Sequence, residues 1–134
     1  MKKRHEAAII AANWWAKKIA SDDPHENGDK SEASILAMAL VDYGRKKPTE
    51  EQLNTFWAEV VKGIEEFPYD CEIDLYCDYG PGFILKDAAN KAGIDHHNFP
   101  FKTGMRVSEN EVRVKEGYGK PYSVLWRKID EHTN

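Results

Sequence analysis

In the stretch YDCEIDLYCDYGPG, residues 69–82, acidic side chains recur at Asp70, Glu72, Asp74 and Asp78. Successive side chains of an extended strand point to opposite faces. The four carboxylates are therefore expected on one face, and Cys71, Ile73, Leu75, Cys77 and Tyr79 on the other. Carboxylates two positions apart on a strand can share a divalent cation, which makes Glu72 and Asp74 the metal candidates. No His, Asn or third acid is placed by the sequence to complete that shell, and EIDLYC lacks the lysine that a magnesium-dependent nuclease would want after its acidic pair. An anionic surface requires less. Side chains on one strand face recur about every 6.8 Å, twice the roughly 3.4 Å rise per phosphate of one DNA strand. Asp70, Glu72, Asp74 and Asp78 are thus read as a partner-binding row that imitates part of a phosphate backbone, supported by Asp22, Asp23, Glu26, Asp29, Glu50, Glu51, Glu65 and Glu66. The plain alternative is a solvated strand face, although like charges side by side cost some stability.

Other chemistry is weaker. Asp95-His96-His97 is similar to phosphoesterase and HNH nuclease motifs, but the further acidic, Asn and His positions those sites need are missing. Adjacent histidines also rarely point at one ion. His5, His25 and His132 fall in a basic terminus, a loop and the tail. There is no Gly-x-Ser-x-Gly nucleophile. In one strand Cys71 and Cys77 would lie roughly 20 Å apart at about 3.4 Å per residue, too far for a disulfide. Both are read as reduced core thiols, and two cysteines are too few for a zinc site. GYGKP, residues 117–121, could hold an anion on its amides. Its spacing is not that of a phosphate loop, and a turn carrying an aromatic peg is the better reading. Lys2, Lys3, Arg4, Lys17, Lys18, the run Arg45-Lys46-Lys47, Arg106 and Arg113 could form a basic patch for direct nucleic-acid binding. With a sequence pI near 5.7 and no helix-turn-helix spacing, that reading ranks third. No catalytic residue, metal or cofactor is expected.

The elements that must position these residues follow from periodicity. The chain has 134 residues, 41% apolar and 31% charged, with four Trp, six Tyr and five Phe. That is the profile of one folded domain, over 1–134. No apolar run is long enough to span a membrane. The basic N-terminus has its apolar run broken by Asn13, Lys17 and Lys18, so it reads as an amphipathic helix and the protein as cytoplasmic. Charge is uneven: residues 1–20 carry five Lys/Arg against one Glu, residues 21–80 five against fifteen acids, and residues 81–134 nine against seven. The acidic middle bears on partners.

A first helix is expected over 4–20, with Trp14 and Trp15 as packing residues, one deep and one marginal. SDDPHENGDK reads as a mobile loop. A second helix, 31–43, is apolar on most sides and so is expected to be the central, most buried one. A third starts at Thr49 with a Thr49/Gln52 capping box and buries Leu53, Phe56, Trp57, Val60 and Ile64. After the acidic strand come a fourth helix over 82–92, stopped by Gly93, and a hairpin in MRVSENEVRV. A closing helix over 121–131, buried through Tyr122, Leu125, Trp126 and Ile129, ends the chain. The fold class is α+β: a layer of about five helices on a small, three-stranded antiparallel sheet.

NWWAKK, DYGPGFILKDAANKAGI and FPFKTGMRVSENEVRVKEGYGKP together resemble the short proteins carried by phages and mobile elements of gut Firmicutes. That resemblance implies an inhibitor of host defence, such as an anti-CRISPR protein, several of which are acidic DNA mimics. The expected function is non-enzymatic inhibition of a bacterial defence protein, a CRISPR effector nuclease, by occluding its basic nucleic-acid-binding site. Two alternatives stand beside it: a protein that sequesters a nucleotide signal through Tyr118, Lys120 and Trp126, and a divalent-metal nuclease.

Overall fold

The alanines of the N-terminal segment decide how closely its helix meets its neighbours. In α1, His5–Ala20, the buried stripe is Ala7, Ala8, Ala11, Ala12, Trp15 and Ile19. Small residues at i, i+4 spacing let a second helix approach closely. The neighbour is α3, and α3 packs in turn on α4. A computed structural model describes residues 3–25, 31–42 and 45–129 of this arrangement. Trp15 is fully buried, and Trp14 is half-buried against its edge, with centroids 5.0 Å apart.

Helix α3, Glu50–Glu65, begins as its sequence requires. The Gln52 amide donates to Thr49 Oγ1 at 3.1 Å, and the Thr49 amide donates to Gln52 Oε1 at 2.9 Å. Phe56, Val60, Val61 and Ile64 are buried, while Leu53 and Trp57, expected to be buried too, are only partly so, and Trp57 donates to Asn13 Oδ1 of α1 at 2.7 Å. Helix α2, Glu32–Asp42, overturns the expectation of a central position. Ile35, Leu36 and Leu40 are 53%, 65% and 73% exposed, and among its described side chains none belongs to the apolar core. A helix apolar on several sides has no single stripe to bury, and α1 and α4 fill the space over the sheet with α3 packed on both. Tyr43 and Gly44, at the expected end of this helix, and residues 26–30 of the expected loop lie outside the described residues.

Among the described residues the sheet has four antiparallel strands in the order β1-β2-β3-β4, one more than expected. They are β1 Ile73–Cys77, β2 Thr103–Val107, β3 Glu111–Glu116 and β4 Ser123–Arg127. Helix α4, Phe83–Ala92, links β1 to a single 3₁₀ turn at His96–Asn98 and then to β2. It stops at Gly93, whose φ of 71° closes the last turn in the left-handed conformation that glycine adopts without steric cost. Helix α1 covers β2 and β3, and α4 covers β1. Ile73, Leu75, Met105, Val107 and Val112 are buried beneath these helices. The fold is α+β with four α-helices among the described residues.

Among the described residues the closing helix is not formed. Residues 123–127 instead pair with β3 as an edge strand, while residues 130–134 lie outside the described part. Tyr122, Leu125, Trp126 and Ile129 fit helical spacing, but over so short a run the period does not separate helix from strand. A bulge completes the disguise. Val112 faces Trp126 and Arg113 faces Val124, so Leu125 is the extra residue that breaks the alternation. Trp126 packs on the core, whereas Leu125 and Ile129 are exposed.

Candidate functional site

The acidic row divides into three environments because β1 is shorter than the alternation suggests. Ile73, Leu75 and Cys77 face inward as expected. Cys71 precedes the strand and Tyr79 follows it, and both are exposed, contrary to expectation, because neither lies on a paired segment that would turn it to the core. Both thiols are free. Burial, and then the charge of Asp78, pushes the Cys77 thiol up to about 12, since both disfavour the thiolate.

The middle of the row is neutralised within the sheet. Asp74 sits opposite Arg106, and Arg106 opposite Arg113. Arg113 Nη2 donates to Glu72 Oε2 at 3.0 Å, and Arg106 Nε lies 3.5 Å from Asp74 and 3.9 Å from Glu72. The ring of Tyr122 lies against both guanidinium groups, 4.6 Å from that of Arg106 and 5.8 Å from that of Arg113, within the reach of cation–π attraction. Cross-strand pairs of this kind stabilise a sheet face. Glu72 and Asp74 therefore share their face with cations that offset them.

Asp78 stands apart at the far end of β1. Its amide donates to the Gly80 carbonyl at 3.2 Å, and its own carbonyl accepts from the Lys102 amide at 2.8 Å. The Tyr118 phenol is pushed up by partial burial, and then by the charge of Asp78 and their hydrogen bond, all of which favour the neutral phenol.

Asp70 faces an open cleft of about 620 Å³, which also takes in Glu65, Glu72 and Glu109. His5 Nδ1 lies 2.9 Å from Glu65. Among the described residues neither the Asp70 nor the Glu109 carboxylate has an ion-pair or hydrogen-bond partner. Lys3 and Arg4 also line this cleft, and the donors of Arg4 are occupied. Nη1 donates to the Phe67 carbonyl at 3.1 Å, and Nη2 to the carbonyls of Tyr69 and Cys71, the latter at 3.2 Å. Its guanidinium also lies 5.5 Å from the Phe67 ring centre. One arginine, at the N-terminal boundary of α1, thus holds the 67–71 turn in place.

Sequence reasoning missed an aromatic cluster beside the cleft, of which Phe67 and Tyr69 line it. The Phe67 ring lies 5.6 Å from Tyr69 and 6.3 Å from Phe83, and Tyr69 and Phe83 are 67% and 59% exposed. Phe83 also has a φ of 53°, a region that costs a side-chain-bearing residue free energy. The available signal was Phe67-Pro68-Tyr69 directly ahead of the acids, two rings spaced by a residue that fixes the chain.

The remaining candidates are separated. Asp95 accepts from the His97 amide at 3.0 Å and caps the 3₁₀ turn, while His96 Nε2 pairs with Asn90 Oδ1 at 2.9 Å. The two histidines thus have different partners. Among the described residues no three His, Cys, Asp or Glu side chains gather as metal ligands would. GYGKP forms a turn in which the Lys120 amide donates to the Gly117 carbonyl at 3.2 Å. Tyr118 lies past the end of β3 beside Asp78, whereas Trp126 pairs with Val112 near the start of β3. The basic residues are dispersed as well: Lys18 pairs with Glu116 at 2.5 Å, Lys47 pairs with Asp22, and Arg4 is enclosed by carbonyls. Lys2, Glu26, Asp29 and His132 lie outside the described residues. Among the described residues no helix is long and apolar enough to cross a membrane. No protein-family model and no curated protein matches the chain.

Proposed function

We propose that this chain is a non-enzymatic inhibitor that acts in the cytoplasm on a bacterial defence protein, a CRISPR effector nuclease being the partner its resemblance implies. It would occupy the basic nucleic-acid-binding site of that partner with carboxylates. The observation that carries the reading is the cleft ahead of β1, where four carboxylates, Glu65, Asp70, Glu72 and Glu109, outnumber Lys3 and Arg4, and where Asp70 and Glu109 stand without ion-pair partners among the described residues. Charges not offset within the chain attract cations of a partner and steer its approach.

This places the weight differently along the row Asp70, Glu72, Asp74 and Asp78. A partner that engaged Glu72 and Asp74 would first have to compete with Arg106 and Arg113. One that engaged Asp70 would meet a carboxylate already available. Glu72 belongs to both surfaces and marks where they meet.

The test is a competition between this chain and duplex DNA for a guide-loaded effector nuclease, followed by gel shift. Displacement of DNA by the wild-type chain, lost in an Asp70→Lys/Glu109→Lys variant, is the expected result. A complex that holds DNA and this chain together would contradict the reading.

A further inference from the structure

We infer that the ring cluster beside the cleft makes it a receptor for arginine rather than for basic side chains in general. This rests on the reading above, that the cleft takes a basic segment of a partner, and adds which residue that segment must carry. The exposed rings are not scattered. Tyr69 and Phe83 flank Phe67, and Phe67 and Tyr69 line the same cleft as Asp70 and Glu109. Apolar rings on a rim where carboxylates outnumber Lys3 and Arg4 complement a group that is flat, weakly hydrated on its faces and cationic at its edge. A guanidinium has that form. A lysine ammonium is compact, strongly hydrated and unable to stack.

The chain's own arginines use both halves of this chemistry nearby. Arg4 stacks on Phe67 and donates to carbonyls of the same turn, and Arg113 donates to Glu72 at the edge of the cleft. Arg4 leaves the rings of Tyr69 and Phe83 largely exposed. The occupant is therefore an arginine-bearing segment of another protein, with a guanidinium on Tyr69 or Phe83 that donates to Asp70 or Glu109.

Fluorescence anisotropy with labelled nona-arginine and nona-lysine peptides tests this on the full chain. The arginine peptide should bind about fivefold more tightly, as expected for one or two stacked guanidinium groups. Tyr69→Ala/Phe83→Ala should remove the preference and leave lysine-peptide affinity within about twofold. Tyr69→Phe, which keeps the ring, should retain it. If the double variant melts early, Tyr69→Ala alone at its exposed position reads the same preference. Equal affinity of the wild type for the two peptides would overturn the arginine inference and leave the acidic cleft standing. Failure to bind either peptide would overturn the cleft reading and this inference with it. A wild-type dimer that the double variant dissociates would assign the rings to a second copy of the chain and overturn the inference.

Discussion

Asp70 and Asp74 are four residues apart, both exposed and both acidic, yet they meet different surroundings. Asp74 stands on a paired strand whose neighbour presents Arg106 directly opposite. Asp70 stands on the turn that leads into the strand, where Arg4 is committed to backbone carbonyls. Two residues of one type thus become a half of an internal ion pair and an available charge. Cys71 and Cys77 repeat the contrast as an exposed and a buried thiol. What separates each pair is the start of β1, not residue type. A row of carboxylates is a surface only where the strand beside it supplies no counter-charge.

The strongest way to break the comparison is to reverse charge on each side of it. Asp70→Lys/Glu109→Lys should weaken arginine-peptide binding by at least about thirtyfold and flatten its dependence on salt, because like charges then meet in the cleft. Equal losses from Asp74→Lys would erase the distinction.

A second contrast lies in stability against pH. The folded Cys77 thiol is raised to about 12, above its ordinary value near 9. The unfolded chain therefore releases that proton first, so the contribution is complete below pH 9 and is lost as pH rises from 9 toward 12. Between pH 8 and pH 10 urea denaturation should show a loss of about 1 kcal/mol. The loss should be mostly removed in Cys77→Ala, the raised Tyr118 phenol adding only near the top of that range, and should persist in Cys71→Ala.

Phe83→Gly sharpens the comparison from the aromatic side. Its φ of 53° suits glycine. The variant should gain about 1 kcal/mol in unfolding free energy while weakening the preference for arginine, which Tyr69 still carries in part. A loss of stability would show that the packing of Phe83 on Phe67 outweighs the backbone cost. The smallest effect is expected from Asp74→Asn, which should change peptide affinity by less than about twofold because that carboxylate already has a local partner.

Much of the fold was legible because several local signals agreed. The Thr49/Gln52 box, the α3 stripe, the Gly93 stop and the SENE turn each depend on neighbours within a few residues, and each appears where expected. Two elements were not legible for a shared reason. ASILAMALVD has apolar residues on several sides, and PYSVLWRKI fits a helix as well as a bulged strand. In both, the competition for burial and pairing, not the local pattern, decides the outcome. The inward face of the acidic strand was read correctly from Ile73 to Cys77. Its outward neighbours were not, since Arg106 and Arg113 reach Glu72 and Asp74 only through strand pairing, and Arg4 reaches the 67–71 turn across more than sixty positions of sequence.

The most direct test is an NMR titration of the isotope-labelled chain with nona-arginine, followed through backbone amides. Shifts concentrated at Phe67, Tyr69–Glu72, Ser108 and Glu109 are predicted, with the amides of Asp74, Arg106 and Arg113 little affected. Shifts centred on those three strand residues, or on Asp78 and Tyr118, would contradict the claim that the cleft rather than the sheet face meets the partner.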